Sequence, residues 1–298
     1  MRSRTALEAA VTIVLMGMVP VIIRHVSADP WAIGHVRLGI GAAGLAIFLS
    51  LSRRWVTPAR REWPWLALIG LLFGVHWALF FSSIKISSAA VAVIGQSTFG
   101  IHLVVLGWII GHHRVRRIDL IAVALAVLGS LLVAPGWSLD DRTTVGLSLA
   151  IVSAFAYAFL PILHQRLGHL PSTVRAFWQF AFALPVFALF LPHADFRLAA
   201  SDWGWLLILG VAGTVITHTL WTRLTTRLST LTTSLLFYMA VPVSLVLAVT
   251  MLDERLSLRT IAGASLIVGG NLLGITDQWR EGRLVALRPE AVAPPRRA

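Results

Sequence analysis

The sequence predicts an all-α integral membrane protein with about ten transmembrane helices in two inverted five-helix repeats, and three observations carry that reading. Hydrophobic residues make up 57% of the 298 and charged residues 13%, with a mean hydropathy of +0.81. No soluble core buries that much apolar surface. The apolar runs are continuous rather than alternating, which selects helices over a β-barrel. The chain also matches itself at a nearly constant offset. Pro20 pairs with Pro161 and Gly129 with Gly270 at 141 residues, Glu62-Trp63-Pro64-Trp65 with Asp202-Trp203-Gly204-Trp205 at 140, and Val36-Arg37 with Val174-Arg175 at 138. Five helices per half is an odd number, so the second half is expected to enter the bilayer from the opposite side.

In chain order, the first apolar run follows Met1-Arg2-Ser3-Arg4 and ends near Val26. It has the outline of a cleavable signal. Pro20 has an internal counterpart in Pro161, however, so the run is expected to remain as helix one. Apolar stretches at 31–51, 65–83, 88–110 and 117–135 complete the first repeat, 1–138. After Asp140-Asp141-Arg142, stretches at 144–163, 173–191, 203–222, 231–251 and 257–275 form the second, 139–276. Each can cross, or nearly cross, a hydrocarbon core of about 30 Å.

The last two stretches make a helical hairpin, and Asp253-Glu254-Arg255 marks its corner. Glu254 is placed to favour the positive N-terminal end of the last helix, and the same corner is expected at His113-Arg114-Val115. Pro20, Pro161 and Pro242 fall inside spans, where each removes a backbone donor and bends the helix. They are the candidate gating kinks. Gly263, Gly269, Gly270 and Gly274 give the last helix a face for close packing. The stretch 277–298 carries Arg280, Arg283, Arg288, Arg296 and Arg297 with no apolar period, and is expected to be a disordered basic cytoplasmic tail.

Charge placement sets orientation and excludes other classes. With the N-terminus inside, seventeen arginines lie on the cytoplasmic side against six basic residues outside, so both termini are expected in the cytoplasm and the protein in the cytoplasmic (inner) membrane. The net charge of +12 is accounted for by loops and tail facing lipid headgroups, and no nucleic-acid partner is needed. There is no cysteine, hence no disulfide framework or thiolate metal site. No His-Glu-x-x-His pair, buried aspartate dyad or glycine-rich phosphate loop is present, so no catalytic residue, metal or cofactor is expected. Trp63, Trp65, Trp137, Trp203, Trp205 and Trp279 sit at span ends as interfacial anchors.

Two stripes point to a solute cavity. Phe73, His76, Trp77 and Phe80 recur at helical spacing on one face of helix three, and Thr214, Thr217, His218 and Trp221 do so on helix eight. An imidazole in hydrocarbon is costly unless it meets a cavity or a partner. The competing reading is a histidine bonded to a neighbouring helix, with tryptophan as packing. Glu8, the acid inside a span, lies so close to the cytoplasmic end that it reads as solvated rather than as a proton carrier.

The hairpin Tyr238-x-x-x-Pro242, Leu252-Asp253-Glu254-Arg255-Leu256 and Gly263-x-x-Leu266-Ile267-x-Gly269 resembles the second repeat of EamA-type exporters in the drug/metabolite transporter superfamily. Pro30 followed by Arg37 is similar to the first repeat. The resemblance covers almost the whole chain. It implies a five-plus-five fold with a central cavity lined by helices one, three, four, six, eight and nine, which adds Gln96, Tyr157 and Tyr238 to the candidate site. It puts helix two at the periphery, so a structural role is expected for Arg37, which can snorkel to the headgroups, and for Arg175. It further implies a secondary transporter exporting a small solute by alternating access, with protons as the candidate coupling ion. A cavity of aromatics, imidazoles and hydroxyls without an acid suits amino acids or other neutral and zwitterionic metabolites; the alternatives are a multidrug efflux protein and, behind it, a non-transporting membrane protein such as an intramembrane enzyme or a channel. Two departures matter: His113 stands where the family often has glutamate, and Gly100 or Ile101 where it often has proline. Helix four is therefore expected to bend less than helix nine.

Overall fold

The computed structural model describes residues 3–109, 117–133, 138, 140–228 and 230–280, and every regular element among them is helical. Helices α1 (Ser3–His25) and α2 (Pro30–Leu51) are followed by a 3₁₀ turn at Arg60–Glu62 and α3 (Trp63–Ile86). Next come α4 (Ala89–Gln96), α5 (Phe99–Ile109) and α6 (Arg117–Val133). The second half runs α7 (Arg142–Arg166), α8 (Ser172–Ala188), α9 (Ala200–Gly210), a π-helical turn at Val211–Ile216, α10 (Thr217–Arg227), α11 (Thr230–Leu252) and α12 (Leu258–Arg280). With α4 and α5 as one interrupted span, and α9 continuing through the π turn into α10, these make ten spans. Among the described residues, Arg4–His25, Pro30–Leu51, Arg60–Ile86, Arg142–Arg166 and Ala200–Thr225 are long and apolar enough to cross a membrane; Leu120–Val133, Leu236–Leu252 and Leu258–Leu273 are shorter apolar helices. The expected corner at 113–115 lies outside the described residues. The last helix reaches Arg280, four residues into the stretch expected to be disordered; 281–298 lies outside the described residues.

Exposed backbone donors are costly near lipid, and the starts of α2, α4 and α7 are capped by the side chains of Asp29, Ser88 and Asp141. Asp29 accepts from the Trp31 and Ala32 N–H groups ahead of Pro30, which is pre-set for the first turn of α2. Asp141 accepts from the Thr144 hydroxyl and from the Thr143 and Thr144 N–H groups; these bonds hold its carboxyl below the usual carboxylate range. The expected role of Glu254 is corrected. Ser257 Oγ accepts the Thr260 N–H at the start of α12 (3.1 Å), and the Glu254 carboxylate instead reaches the other half, accepting from Ala89 N (2.8 Å) and Ala90 N (3.0 Å). A left-handed backbone at Asp253 (φ 53°) turns the corner that allows this reach.

Helix four, expected to bend less than helix nine, is interrupted. Helix four breaks without a proline: Ser97 and Thr98 donate their hydroxyls to the Ile94 and Gly95 carbonyls at 2.6 and 2.7 Å. The amides that follow find acceptors on other helices, Gly100 N on Tyr238 Oη (3.0 Å) and Ile101 N on Asn271 Oδ1 (2.8 Å). Local hydroxyl bonds compete with the helical ladder, and the cross-helix acceptors make the break affordable. Helix α11, in contrast, runs unbroken through Pro242.

Packing between halves follows an exchange rule. Helix α3 packs on α8 as α2 packs on α9 and the π turn; α4 packs on α7 as α1 does on α11; α3 packs on α7 as α1 does on α10. The pairs α2–α8 and α6–α12 are their own counterparts. Matched acids repeat the rule in the loops. Glu62 meets His169 between α7 and α8, while Asp202 accepts from the Ser27 hydroxyl and N–H between α1 and α2. Helices α6 and α12 touch through backbone: a Cβ on Gly263 would stand 2.5 Å from the Gly129 carbonyl oxygen, and one on Gly270 would stand 2.9 Å from that of Ala122. Gly269, expected on the same face, has nothing within 4 Å, and the surroundings of Gly274 lie outside the described residues.

Candidate functional site

The site begins at Arg37, and here the expectation of a snorkelling side chain is corrected. Arg37 is 1% exposed. Its helix packs against the π turn, and widening of that turn leaves carbonyls without the usual i+4 donor. Thr214 Oγ1 donates to Leu209 O (2.9 Å), and Thr217 Oγ1 donates to Ala212 O (2.7 Å). Arg37 Nη2 donates to Gly213 O and Nε to Thr214 Oγ1, both at 3.0 Å. The guanidinium carbon then lies 4.1 Å from the centre of the Trp77 ring and 5.1 Å from that of Phe81, a cation–π arrangement. Arg175 also stays inside, at 1% exposed, but it donates to the Leu170 and His164 carbonyls near the end of α7.

Arg37 opens onto a cavity with about 740 Å³ of space not filled by atoms, its mouth included. Of the residues singled out from sequence, His76, Trp77, Phe80, Gln96, Tyr157, Thr217, His218 and Trp221 line it, as does Pro20. His76 is fixed from behind, with Nδ1 2.7 Å from Ser153 Oγ, which also lies 3.2 Å from Gln96 Oε1. Its ring is 4.6 Å from that of Tyr157 and stacks on Phe80 at 5.9 Å. The His218 ring meets Phe73, Trp77 and Phe180 edge-on at 5.0, 5.4 and 5.7 Å.

Three of the cavity candidates, Phe73, Thr214 and Tyr238, stand outside this cavity. Phe73 lies in the core and borders a smaller second cavity together with Pro161. Thr214, fully buried, anchors Arg37. Tyr238 receives the Gly100 amide at the break in helix four. Pro242 borders neither cavity. Sequence reasoning missed Arg37 as a wall residue, together with Phe237, Val241 and Ser244 on α11. Arg37 carried a signal, a charge inside a span matched in the other repeat; the three on α11 carried none beyond helical spacing. Among the described residues, no group of three or more His, Cys, Asp or Glu side chains is placed to hold a metal ion.

A multi-pass helical membrane protein with a cavity between two like halves is the architecture of a membrane transporter. The sequence pattern of the EamA-like transporter family matches residues 4–134 and again 144–276; the chain belongs to that family, and it is a membrane transporter. It is 26% identical to protein RarD of Escherichia coli (strain K12) over 225 residues, covering 71% of this chain and 73% of RarD. It is 20% identical over 291 residues to the uncharacterized transporter YxxF of Bacillus subtilis (strain 168), covering 95% and 92%. An uncharacterized transporter of Vibrio cholerae is 29% identical over 184 residues, and the match spans 58% of each chain. A solved crystal structure with 21% identity superposes with a TM-score of 0.66 over 94% of this chain and 98% of the other, a likeness of fold.

Proposed function

We propose that the protein is a secondary transporter that exports a small solute across the cytoplasmic membrane by alternating access, with the cavity beside Arg37 as its binding site. The halves 1–138 and 139–276 act as inverted repeats that rock about this site, and both termini face the cytoplasm. The observation that carries the reading is the cavity itself: polar groups from both halves, Arg37, His76 and Gln96 from one and Thr217 and His218 from the other, meet in one aromatic-walled space. Transporter sites of this kind sit at the interface between repeats. Small amphiphilic metabolites fit such a space, and an amino acid would find a partner for its carboxylate there. The test is counterflow of labelled solutes, beginning with amino acids and small organic acids, in proteoliposomes. Saturable exchange that is lost in Trp77→Ala, Trp221→Ala variants of retained fold supports the reading. Exchange unaffected by both substitutions overturns this site.

A further inference from the structure

We propose that the solute is recognised through a carboxylate, or an oxyanion of like geometry, held by Arg37 against an apolar and aromatic wall; this deepens the transport reading above and rests on it for its physiological meaning. The first ground is charge. Arg37 is a buried guanidinium in a membrane span, and the described residues that line its cavity include no aspartate or glutamate. None of the described ion pairs involves it. A buried cation with no counter-charge from its own protein is costly, and a bound anion supplies that charge.

The second ground is hydrogen-bond geometry. Guanidinium has five N–H groups arranged as forks. One edge, Nε and Nη2, is occupied by Thr214 and Gly213. The other, Nη1 with the second hydrogen of Nη2, remains; Nη1 is buried and has no partner. Two parallel donors on a planar edge match the two oxygens of a carboxylate. Gln96 Nε2, on the same cavity, is likewise buried and unpartnered. Both unanswered groups are donors, so the missing group is an acceptor. The repeat-related Arg175 is held differently, with Nε on the Leu170 carbonyl and Nη1 on the His164 carbonyl.

The third ground is the wall. Trp77 lies under the guanidinium, and Phe80, Tyr157, Trp221 and Phe237 contribute further rings. No acid stands ready for an ammonium group. The ligand class is therefore a monoanionic acid with an apolar body, in preference to a zwitterion or an organic cation.

The experiment pairs acids with their uncharged amides: phenylacetate with phenylacetamide, and indole-3-acetate with indole-3-acetamide, each up to 20 mM on the purified full chain in detergent. Binding is read by thermal stabilisation, and phosphate serves as an anion without an apolar body. At least one acid should bind roughly tenfold more tightly than its amide, and Arg37→Gln should erase that preference while leaving amide binding in place. Should Arg37→Gln fail to fold, Gln96→Glu does the same work, adding a negative charge to the cavity without removing the Arg37 hydrogen bonds to Thr214 and Gly213; acids should lose more affinity than their amides. Phosphate binding as tightly as the acids would remove the apolar part of the proposal. Acids and amides binding alike, no acid binding, or an acid preference that survives in a folded variant would overturn the proposal. Because binding is read without flux, acid binding in a protein that shows no counterflow would count against transport alone.

Discussion

Thr214 shows how much a single hydroxyl decides. It donates to the Leu209 carbonyl and accepts from Arg37 Nε, so it closes the π turn and aims the guanidinium together. Thr214→Val keeps the shape and removes both bonds; with one of them made to a charged group, the variant should lose about 1.5–3 kcal/mol of stability, read as a fall in thermal midpoint in detergent. Thr214→Ser should recover most of it. An unchanged midpoint in the valine variant would mean that Arg37 finds another acceptor. The stripe spacing picked out Thr214, His76 and His218 from sequence. It could not assign their roles, because each role depends on a partner far along the chain: Arg37 lies 177 residues before Thr214, and Ser153 lies 77 after His76. The same distance explains the misplacement of Arg37. Taken alone, an arginine near a helix end reads as a snorkelling side chain; only the π turn at Val211–Ile216 gives it somewhere else to go.

Helix contacts provide two further tests. Helices α6 and α12 touch at Gly129 and Gly263, where an added Cβ meets carbonyl oxygens at 2.5 Å. Gly129→Val forces these backbones apart and should cost about 1–3 kcal/mol by overpacking. Gly269→Ala, with nothing within 4 Å, should be neutral or stabilising by up to about 1 kcal/mol. Equal thermal midpoints for the two would show that the helices separate freely. Glu254 is the second case. Its carboxylate takes two amides at the start of α4, and Glu254→Gln keeps the length while removing the charge. The expected loss is about 0.5–2 kcal/mol, the range of a helix cap, measured by hydrogen exchange at Ala89 and Ala90 as well as by the midpoint. Unaltered protection of those amides would make the contact incidental. The helices themselves were legible from apolar run length. The break at Ser97-Thr98 was not, since reading bends from prolines alone overlooks hydroxyls that compete for carbonyls.

For the whole molecule, composition and self-similarity made the helical membrane fold legible before any contact was known. The exchange rule in packing, with α3–α8 answered by α2–α9 and Glu62–His169 answered by Asp202–Ser27, accords with the offset of about 140 residues. Insertion direction has its own test. The chain has no cysteine, so single cysteines at Ser52 and Ser138 can be labelled from either side of sealed cells or vesicles. Ser52→Cys should react with an impermeant thiol reagent only from the cytoplasm, and Ser138→Cys only from outside. Labelling of both from one side would rule out the inverted arrangement.

Arg37 also has an electrical consequence. On the proposal that Arg37 takes up a monovalent acid, an interior that holds a fixed positive charge when empty becomes neutral there when loaded. A membrane voltage acts on a displaced charge by about 2.3 kcal/mol per 100 mV for a full crossing, and it acts on the empty protein rather than the loaded one. Exchange of acid for acid uses only the loaded form and should be indifferent to an imposed diffusion potential. Net movement, which requires the empty protein to return, should change rate when the potential is reversed. Vesicles clamped with potassium and valinomycin separate the two modes, and equal voltage sensitivity in both would place the charge of Arg37 outside the moving field.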